Sequence, residues 1–204
     1  MNMSRLYSVL AGILLLLTAC SSTNSEHTYV DQLQGAVLNP PRVLEDFTAM
    51  STTGEEFTLS EHRGEVVLIY FGYRACPDFC PTTFAELKRV YADLGEPADR
   101  VKILFVTIDP ERDTLELLGL YTGAFHEDFI GLRLEEEELA DLLAQFGAVA
   151  EKRILGESAL AYLYDHTATL FLINPKGELE VQYLYGTPYG KIVHDVQLIL
   201  DSDS

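Results

Sequence analysis

The sequence predicts an α/β fold in which a central mixed sheet is flanked by helices and extended by an N-terminal β-hairpin. Two continuous apolar runs, "EVVLIYFGY" (65–73) and "VKILFVTID" (101–109), are rich in β-branched and aromatic residues. Such runs are typical of strands buried on both faces. Segments with helical periodicity follow each run, and this alternation predicts a sheet between helical layers.

The first elements are assigned from local signals. "DFTAMSTTGEEFTLSEH" (46–62) contains two short strand-like pieces around Thr53 and Gly54, which predicts the hairpin. After the strand over 65–73, "PTTFAELKRVYADLG" (81–95) has apolar residues at helical spacing. Its Pro81 suits a first helical position and its Gly95 a C-terminal stop, so this segment is predicted to be a helix.

The second half continues the pattern. The strand over 101–109 is followed by predicted helices at 113–125, capped by Asp113 or Thr114, and at 135–148, where acidic residues favour the N-terminal end. "HTATLFLINPKGELEVQYLYG" (166–186) predicts two antiparallel strands that turn at Asn-Pro-Lys-Gly. A closing helix is predicted over 189–200. We therefore expect the domain to span 41–204.

The N-terminus has the layout of a lipoprotein signal. Arg5 precedes an apolar run over 6–17, which is shorter than the ~20 residues a membrane span needs, and "LTAC" resembles a bacterial lipobox. We expect residues 1–19 to be a signal peptide and Cys20 to carry the lipid. Polar residues then make 20–40 a flexible tether. The protein would be lipid-anchored on the outer side of the cytoplasmic membrane.

Composition limits the function classes. The chain of 204 residues is 48% hydrophobic and 23% charged, which is typical of a globular domain, and its formal net charge is -18. This acidity argues against nucleic acid as a partner, because the phosphates would repel it. It is compatible with a basic partner or soft cations, and equally with a role in solubility alone.

Two cysteines remain after lipidation, Cys76 and Cys80, in "YFGYRACPDFCPTTFAEL". They stand four residues apart between a buried strand and a helix, where reactive groups collect in α/β proteins. Unpaired N–H groups at the helix start should favour thiolates. The pair could close as a disulfide, attack another disulfide or bind a soft metal. An inert staple is disfavoured, since so short a loop adds little stability.

Two sulfurs do not complete a zinc site, whereas copper(I) accepts two or three ligands. The sequence does not mark His27, His62, His126 or His194 as a metal ligand. His166 differs because it immediately precedes a predicted buried strand. In its order of strands, Cys pair and later "TxxLF" strand, the chain resembles the thioredoxin fold. There, the loop before that later strand faces the cysteines. This places Asp165-His166-Thr167 opposite the pair.

Three motifs in order, "FGYRACPDFCPTTFAEL", "VTIDPERDT" and "DHTATLFLINPKG", closely resemble the Sco/SenC family of copper-binding assembly proteins over roughly 41–201. The resemblance implies a thioredoxin-like fold and a copper site at Cys76, Cys80 and His166, suited to copper(I) and able to take copper(II) with an added oxygen donor. It also implies a membrane-anchored metallochaperone, not a turnover enzyme. Its partners would be cytochrome c oxidase subunit II and other periplasmic copper carriers.

Two matters stay open at this point. The alternative function is a thiol–disulfide oxidoreductase acting on the copper-site cysteines, with Cys76 attacking and Cys80 resolving. Asp78 and Asp165 could orient His166 or tune the charge of the site, or could be ordinary turn residues. The segment Asp109–Asp113 is expected to be structural, with a strand end, a turn and a helix cap.

Overall fold

The computed structural model describes residues 29–158 and 161–203. The chain divides into two units, 1–31 and 32–204. Of the first unit only 29–31 are described, with 29 and 30 helical and 31 in a turn. The predicted signal peptide, Cys20 and most of the predicted tether lie outside the described residues. Within those residues, no helix combines the length and apolar character that a membrane crossing requires.

The described part of the second unit contains ten strands and four α-helices. They are β1 Ala36–Val43, β2 Thr48–Ser51, β3 Glu56–Thr58, β4 Val66–Gly72, α1 Phe79–Leu94, β5 Val101–Thr107, α2 Leu115–Gly123, β6 Ile130–Arg133, α3 Glu136–Phe146, β7 Ala150–Ile154, β8 Tyr162–His166, β9 Thr169–Ile173, β10 Glu178–Leu184 and α4 Tyr189–Ser202.

Eight strands form one mixed sheet in the order β1-β10-β9-β4-β5-β6-β2-β3, and β7 and β8 form a separate two-stranded sheet. β4, β5 and β6 run parallel, while β9 lies antiparallel to β4. Every residue of β4 is buried, as its unbroken apolar run predicts. The predicted central strand, N-terminal hairpin and final pair of strands are confirmed.

Helices cover both faces of the sheet, as predicted. On one face, the ring of Phe84 from α1 packs against Tyr70 and Phe105, with centroids 6.2 and 5.0 Å away. On the other face, Phe146 from α3 packs against Phe71 at 5.2 Å. Neighbouring residues of β4 thus point to opposite layers, which is the alternation a strand imposes.

Several boundaries follow local chemistry. Gly95, just beyond α1, has φ of +64°, a conformation that favours glycine, and so ends the helix as predicted. Thr114, not Asp113, caps α2 by accepting the Leu117 N–H. α1 begins at Phe79, two residues before Pro81, so Cys80 belongs to its first turn.

The domain begins before residue 41, the start that the sequence predicts. β1 begins at Ala36 and pairs with β10, so the sheet includes the last five residues of the predicted tether. Just before it, the N–H groups of Gln34 and Gly35 donate to the buried carboxylate of Asp195 on α4, at 2.8 and 2.9 Å. The ordered domain therefore includes residues before 41.

Candidate metal centre

The two ligand-bearing segments leave neighbouring strands of the sheet. Cys76 lies in the loop that follows β4, and Cys80 is the second residue of α1. His166 ends β8, three residues before β9 begins. Because Tyr70 of β4 pairs with Leu170 of β9, the end of one strand lies beside the start of the other. This register brings the histidine to the cysteines across 86 residues of sequence.

The three predicted ligands form one cluster. Their ligand atoms all lie within 4.8 Å of one another, and Cys80 Sγ is 3.8 Å from His166 Nε2. Both thiols are buried, while the histidine is half-buried. Among the described residues, this is the single group of three or more histidine, cysteine or acidic side chains close enough to share an ion.

The two cysteines have opposite electrostatic environments. The Cys80 thiol donates towards the Cys76 sulfur, which lowers the pKa of Cys76. His166 and the backbone N–H groups of Asp78 and Cys80 lower it further. The same interaction, together with burial, raises the pKa of Cys80. Cys76 is therefore the more acidic thiol of the pair. The predicted lowering of the thiol pKa at the helix start agrees with Cys76 but not with Cys80.

His166 is held by its own backbone neighbourhood. Its Nε2 lies 3.8 Å from Cys80 Sγ, and its Nδ1 lies 3.3 Å from the Thr167 carbonyl, to which it can donate when Nε2 binds an ion. The rings of Tyr70 and Tyr73 meet the imidazole edge-on at 6.1 and 5.9 Å. A carbonyl behind the distal nitrogen is a common way to fix a ligating histidine.

The two candidate supporting aspartates, Asp78 and Asp165, both have exposed side chains. Asp165 is exposed and lies 3.6 Å from Arg153 across the β7–β8 hairpin, so its carboxylate does not orient His166. Asp78 is also exposed and stands at the N-terminus of α1. Its backbone N–H contributes to the lowered pKa of Cys76.

The loop from Asp109 to Asp113 supports the cysteine side of the site. Asp113 is fully buried, and one of its oxygens accepts from the Arg74 backbone N–H at 2.9 Å and the Thr107 hydroxyl at 2.8 Å. Its other oxygen lies 3.5 Å from the Arg74 guanidinium. Since Arg74 precedes Cys76 by two residues, Asp113 fixes the cysteine loop against β5.

The same loop supports the histidine side. Asp109, also fully buried, accepts from the Tyr162 hydroxyl at 2.8 Å and pairs with the guanidinium of Arg112. The Tyr162 ring lies close to two cations, with Arg112 Cζ 3.6 Å and Lys152 Nζ 3.7 Å from its centroid. β8, which carries His166, is therefore fastened to the loop at its first residue.

The remaining histidines have other contacts. His62 stacks on Phe57 at 4.3 Å, and His126 packs on Tyr91 at 4.5 Å. His194 lies 3.0 Å from Asp195. His27 lies outside the described residues.

The donor set fits a thiophilic ion. Metal–sulfur and metal–nitrogen bonds of about 2.3 and 2.0 Å, spread at 120°, would separate sulfur from nitrogen by about 3.7 Å. The observed 3.8 Å between Cys80 and His166 needs almost no adjustment. Two thiolates and a neutral imidazole are soft to intermediate ligands, which favours copper(I) over hard cations.

Two residues next to the site, Tyr70 and Gly72, were not predicted from the sequence. A Cβ on Gly72 would lie 2.8 Å from Cys80 Sγ, so glycine is needed for the sulfur to approach the sheet. Tyr70 presents a buried hydroxyl on the same side. The signal was the tyrosine and glycine in "YFGY", which are unusual in a strand with no exposed face.

Comparison with known proteins gives consistent matches. The SCO1/SenC family model matches residues 36–201. An SCO2-like protein of Rickettsia conorii is 34% identical over 145 residues, 70% of each chain. The apo Sco1 protein of Thermus thermophilus has a TM-score of 0.70 and 34% identity over 86% of this chain and 98% of its own.

A copper-bound protein is among the similar structures. Bradyrhizobium japonicum ScoI with copper bound has a TM-score of 0.70 and 28% identity, covering 77% of this chain and 99% of its own. These neighbours confirm the predicted thioredoxin-like fold.

Proposed function

The chain belongs to the SCO1/SenC family, and from this premise we propose that it is a copper metallochaperone. It carries the ion on Cys76, Cys80 and His166 and serves assembly of the binuclear copper centre in cytochrome c oxidase subunit II. The observation that carries the proposal is the buried Cys-Cys-His cluster, whose ligand atoms lie within 4.8 Å of one another. The copper-bound state of the Bradyrhizobium relative supports the choice of ion.

The geometry suits delivery better than permanent storage. The half-buried histidine forms the accessible side of the cluster, whereas Cys80 is fully buried. An incoming thiolate from subunit II can replace the ligands one at a time, so the ion is never without donors. Such exchange is transfer of cargo between two sites and requires no turnover chemistry from this chain.

The proposal includes a place in the cell. Lipidation of Cys20 would hold the protein at the outer surface of the cytoplasmic membrane, where subunit II and other periplasmic copper carriers are reached. This part rests on the lipobox "LTAC" and the polar tether. Metabolic labelling with a radioactive fatty acid, compared with Cys20→Ala, tests it: label that persists in the variant contradicts lipid attachment there.

The central test is anaerobic copper(I) titration of the reduced full-length chain in detergent, against a competing chelator. We expect one ion per chain, and affinity at least about a hundredfold weaker in His166→Ala because one of three ligands is lost. The matched control is His126→Ala, a histidine with no part in the cluster. Weak binding by the unaltered chain, or equal affinity in His166→Ala, would contradict the proposed site.

A second function is favoured by the asymmetry of the thiols. Cys76 has a lowered pKa and Cys80 a raised one, the arrangement of an attacking and a resolving thiol. The Cys76 thiolate would attack a target disulfide and form a mixed disulfide. Cys80 would then lose its proton and displace the target, so that two electrons pass to the target as the Cys76–Cys80 disulfide forms. One of the two protons that the target takes up comes from Cys80 and the other from solvent, because Cys76 reacts as a thiolate.

This alternative makes a separate prediction. Metal-free protein should reduce a disulfide-bonded peptide with the copper-site sequence of subunit II, and Cys80→Ser should accumulate the mixed disulfide at Cys76. His166→Ala should keep most of this activity, because the Cys80 thiol is the main cause of the lowered pKa of Cys76 and His166 only adds to it. A metal-free chain without any reduction of the peptide would leave copper carriage as the sole role.

A further inference from the structure

The hydroxyl of Tyr70 is a buried polar group that the proposed copper site does not yet use. Tyr70 lies on β4, is 0% exposed, and its hydroxyl makes no hydrogen bond of normal geometry. Leaving a buried donor unpaired costs free energy, so such groups are rare in folded proteins and call for an explanation. A phenylalanine would fill the same space without that cost.

The unpaired hydroxyl belongs to a ring that lies against the metal centre. The Cβ position of Gly72 would be 2.8 Å from Cys80 Sγ and 3.1 Å from Tyr70 Cε1, so these two atoms are at most about 5.9 Å apart. The ring also meets His166 edge-on, with centroids 6.1 Å apart. The hydroxyl is bonded one carbon beyond Cε1, within the layer between the sheet and α1.

We propose that Tyr70 is a positioning residue whose hydroxyl donates a hydrogen bond to the Cys80 sulfur when that sulfur is a metal-bound thiolate. The inference rests on the proposed copper site and extends it to a residue outside the ligand set. In the dithiol state the neutral sulfur is a weak acceptor, and the hydroxyl stays unpaired. In the metal-bound state the sulfur carries negative charge and becomes a good acceptor.

The Tyr70 hydroxyl should therefore affect the stability of the metal-free and metal-bound forms in opposite directions. The hydroxyl destabilises the metal-free form, where it is buried without a partner, and stabilises the loaded form, where it gains one. A donor to a ligating thiolate also lowers the energy of the sulfur electrons. A residue that only fills space would show neither effect. Replacing Tyr70 with phenylalanine, which fills the same space, therefore isolates the contribution of the hydroxyl.

The test compares Tyr70→Phe with Tyr121→Phe in the full-length chain in detergent. Tyr121 is a matched control because its hydroxyl is also buried and unpaired, on a ring that packs against Phe105. Three quantities are measured: the urea midpoint of the metal-free protein, the copper(I) affinity by chelator competition, and the energy of the thiolate-to-copper band after loading with copper(II).

For Tyr70→Phe we expect an equal or higher urea midpoint, about tenfold weaker copper(I) binding, and a charge-transfer band at lower energy. Tyr121→Phe should match the unaltered chain in affinity and band. Equal affinity and an unmoved band in Tyr70→Phe would overturn the inference and leave the copper site standing. Loss of copper binding already in the unaltered chain would overturn both.

Discussion

Gly72 offers the sharpest test of how the sheet positions the metal ligands. Its backbone is not in the left-handed region, so alanine is penalised by contacts alone. The new Cβ would lie 2.8 Å from Cys80 Sγ, 2.8 Å from Phe105 Cε2 and 3.1 Å from Tyr70 Cε1, all far inside the 3.5–4.0 Å at which such atoms attract. All three neighbours are fully buried and cannot turn aside.

The expected magnitude follows from that crowding. Overpacking of a rigid core costs about 1–3 kcal/mol, so Gly72→Ala should lower the free energy of unfolding by that amount. Relief of the closest contact would move Cys80 Sγ by somewhat under ~1 Å, whereas metal sites tolerate about 0.2 Å in ligand distance. Copper(I) affinity should therefore fall about tenfold or more, in addition to the loss of stability.

The assay is urea unfolding of the metal-free chain followed by chelator competition on the folded protein. Gly190→Ala is the control, since a Cβ there meets nothing within 4 Å and its helix favours alanine. We expect the control to match or slightly exceed the unaltered chain in stability. A Gly72→Ala variant that unfolds at the normal urea concentration and binds copper normally would refute the packing argument.

Three further outcomes are expected. Tyr162→Phe removes the hydroxyl that donates to buried Asp109, so the free energy of unfolding should fall by about 1–3 kcal/mol in urea titrations; no change would mean that the bond contributes nothing. Burial raises the pKa of Asp113 above its ordinary 3.8. Between pH 3.8 and the raised pKa, the folded state binds more protons than the unfolded state. The free energy of unfolding therefore falls as the pH rises through this interval. As the pH rises above 3.8, the urea midpoint of Asp113→Asn should increase relative to that of the unaltered chain. Midpoints of the two proteins that change with pH in the same way would contradict this. A chain that begins at residue 41 loses the first five residues of β1 and two N–H donors to Asp195, so it should be less stable by at least about 3 kcal/mol than one beginning at residue 32; equal midpoints would restore the shorter boundary.

The parts of the fold that the sequence predicted are those with strong local signals. β4 is an unbroken apolar run, α1 ends at a glycine with positive φ, and β9 and β10 are joined at an Asn-Pro-Lys-Gly turn. β6 was missed because it has only four residues. β7 was missed because four of its five residues are exposed and show no alternation.

The site was predictable in unequal measure. The cysteines follow from their place between a buried strand and a helix. The difference between their pKa values does not, because it arises mainly from the interaction of the two thiols and from the burial of Cys80. His166 needed the resemblance to known folds, because its position just before a buried strand does not by itself show that it faces the cysteines. The role of Asp165 was left open, and the structure shows that its neighbour His166 faces the cysteines while its own side chain faces Arg153. Successive residues of a strand point opposite ways.

Because the antiparallel register of β4 and β9 positions the ligands, the cluster forms only when these two strands pair correctly. Tyr70 stands opposite Leu170, and from that pair the chain runs six residues forward to Cys76 and four back to His166. A slip of two residues would keep every side chain on its proper face but separate imidazole and thiolates by a further ~7 Å. Only the native pairing can hold the ion. An ion at a thousand times its dissociation constant would then add about 4 kcal/mol to the native sheet and nothing to its misaligned competitors.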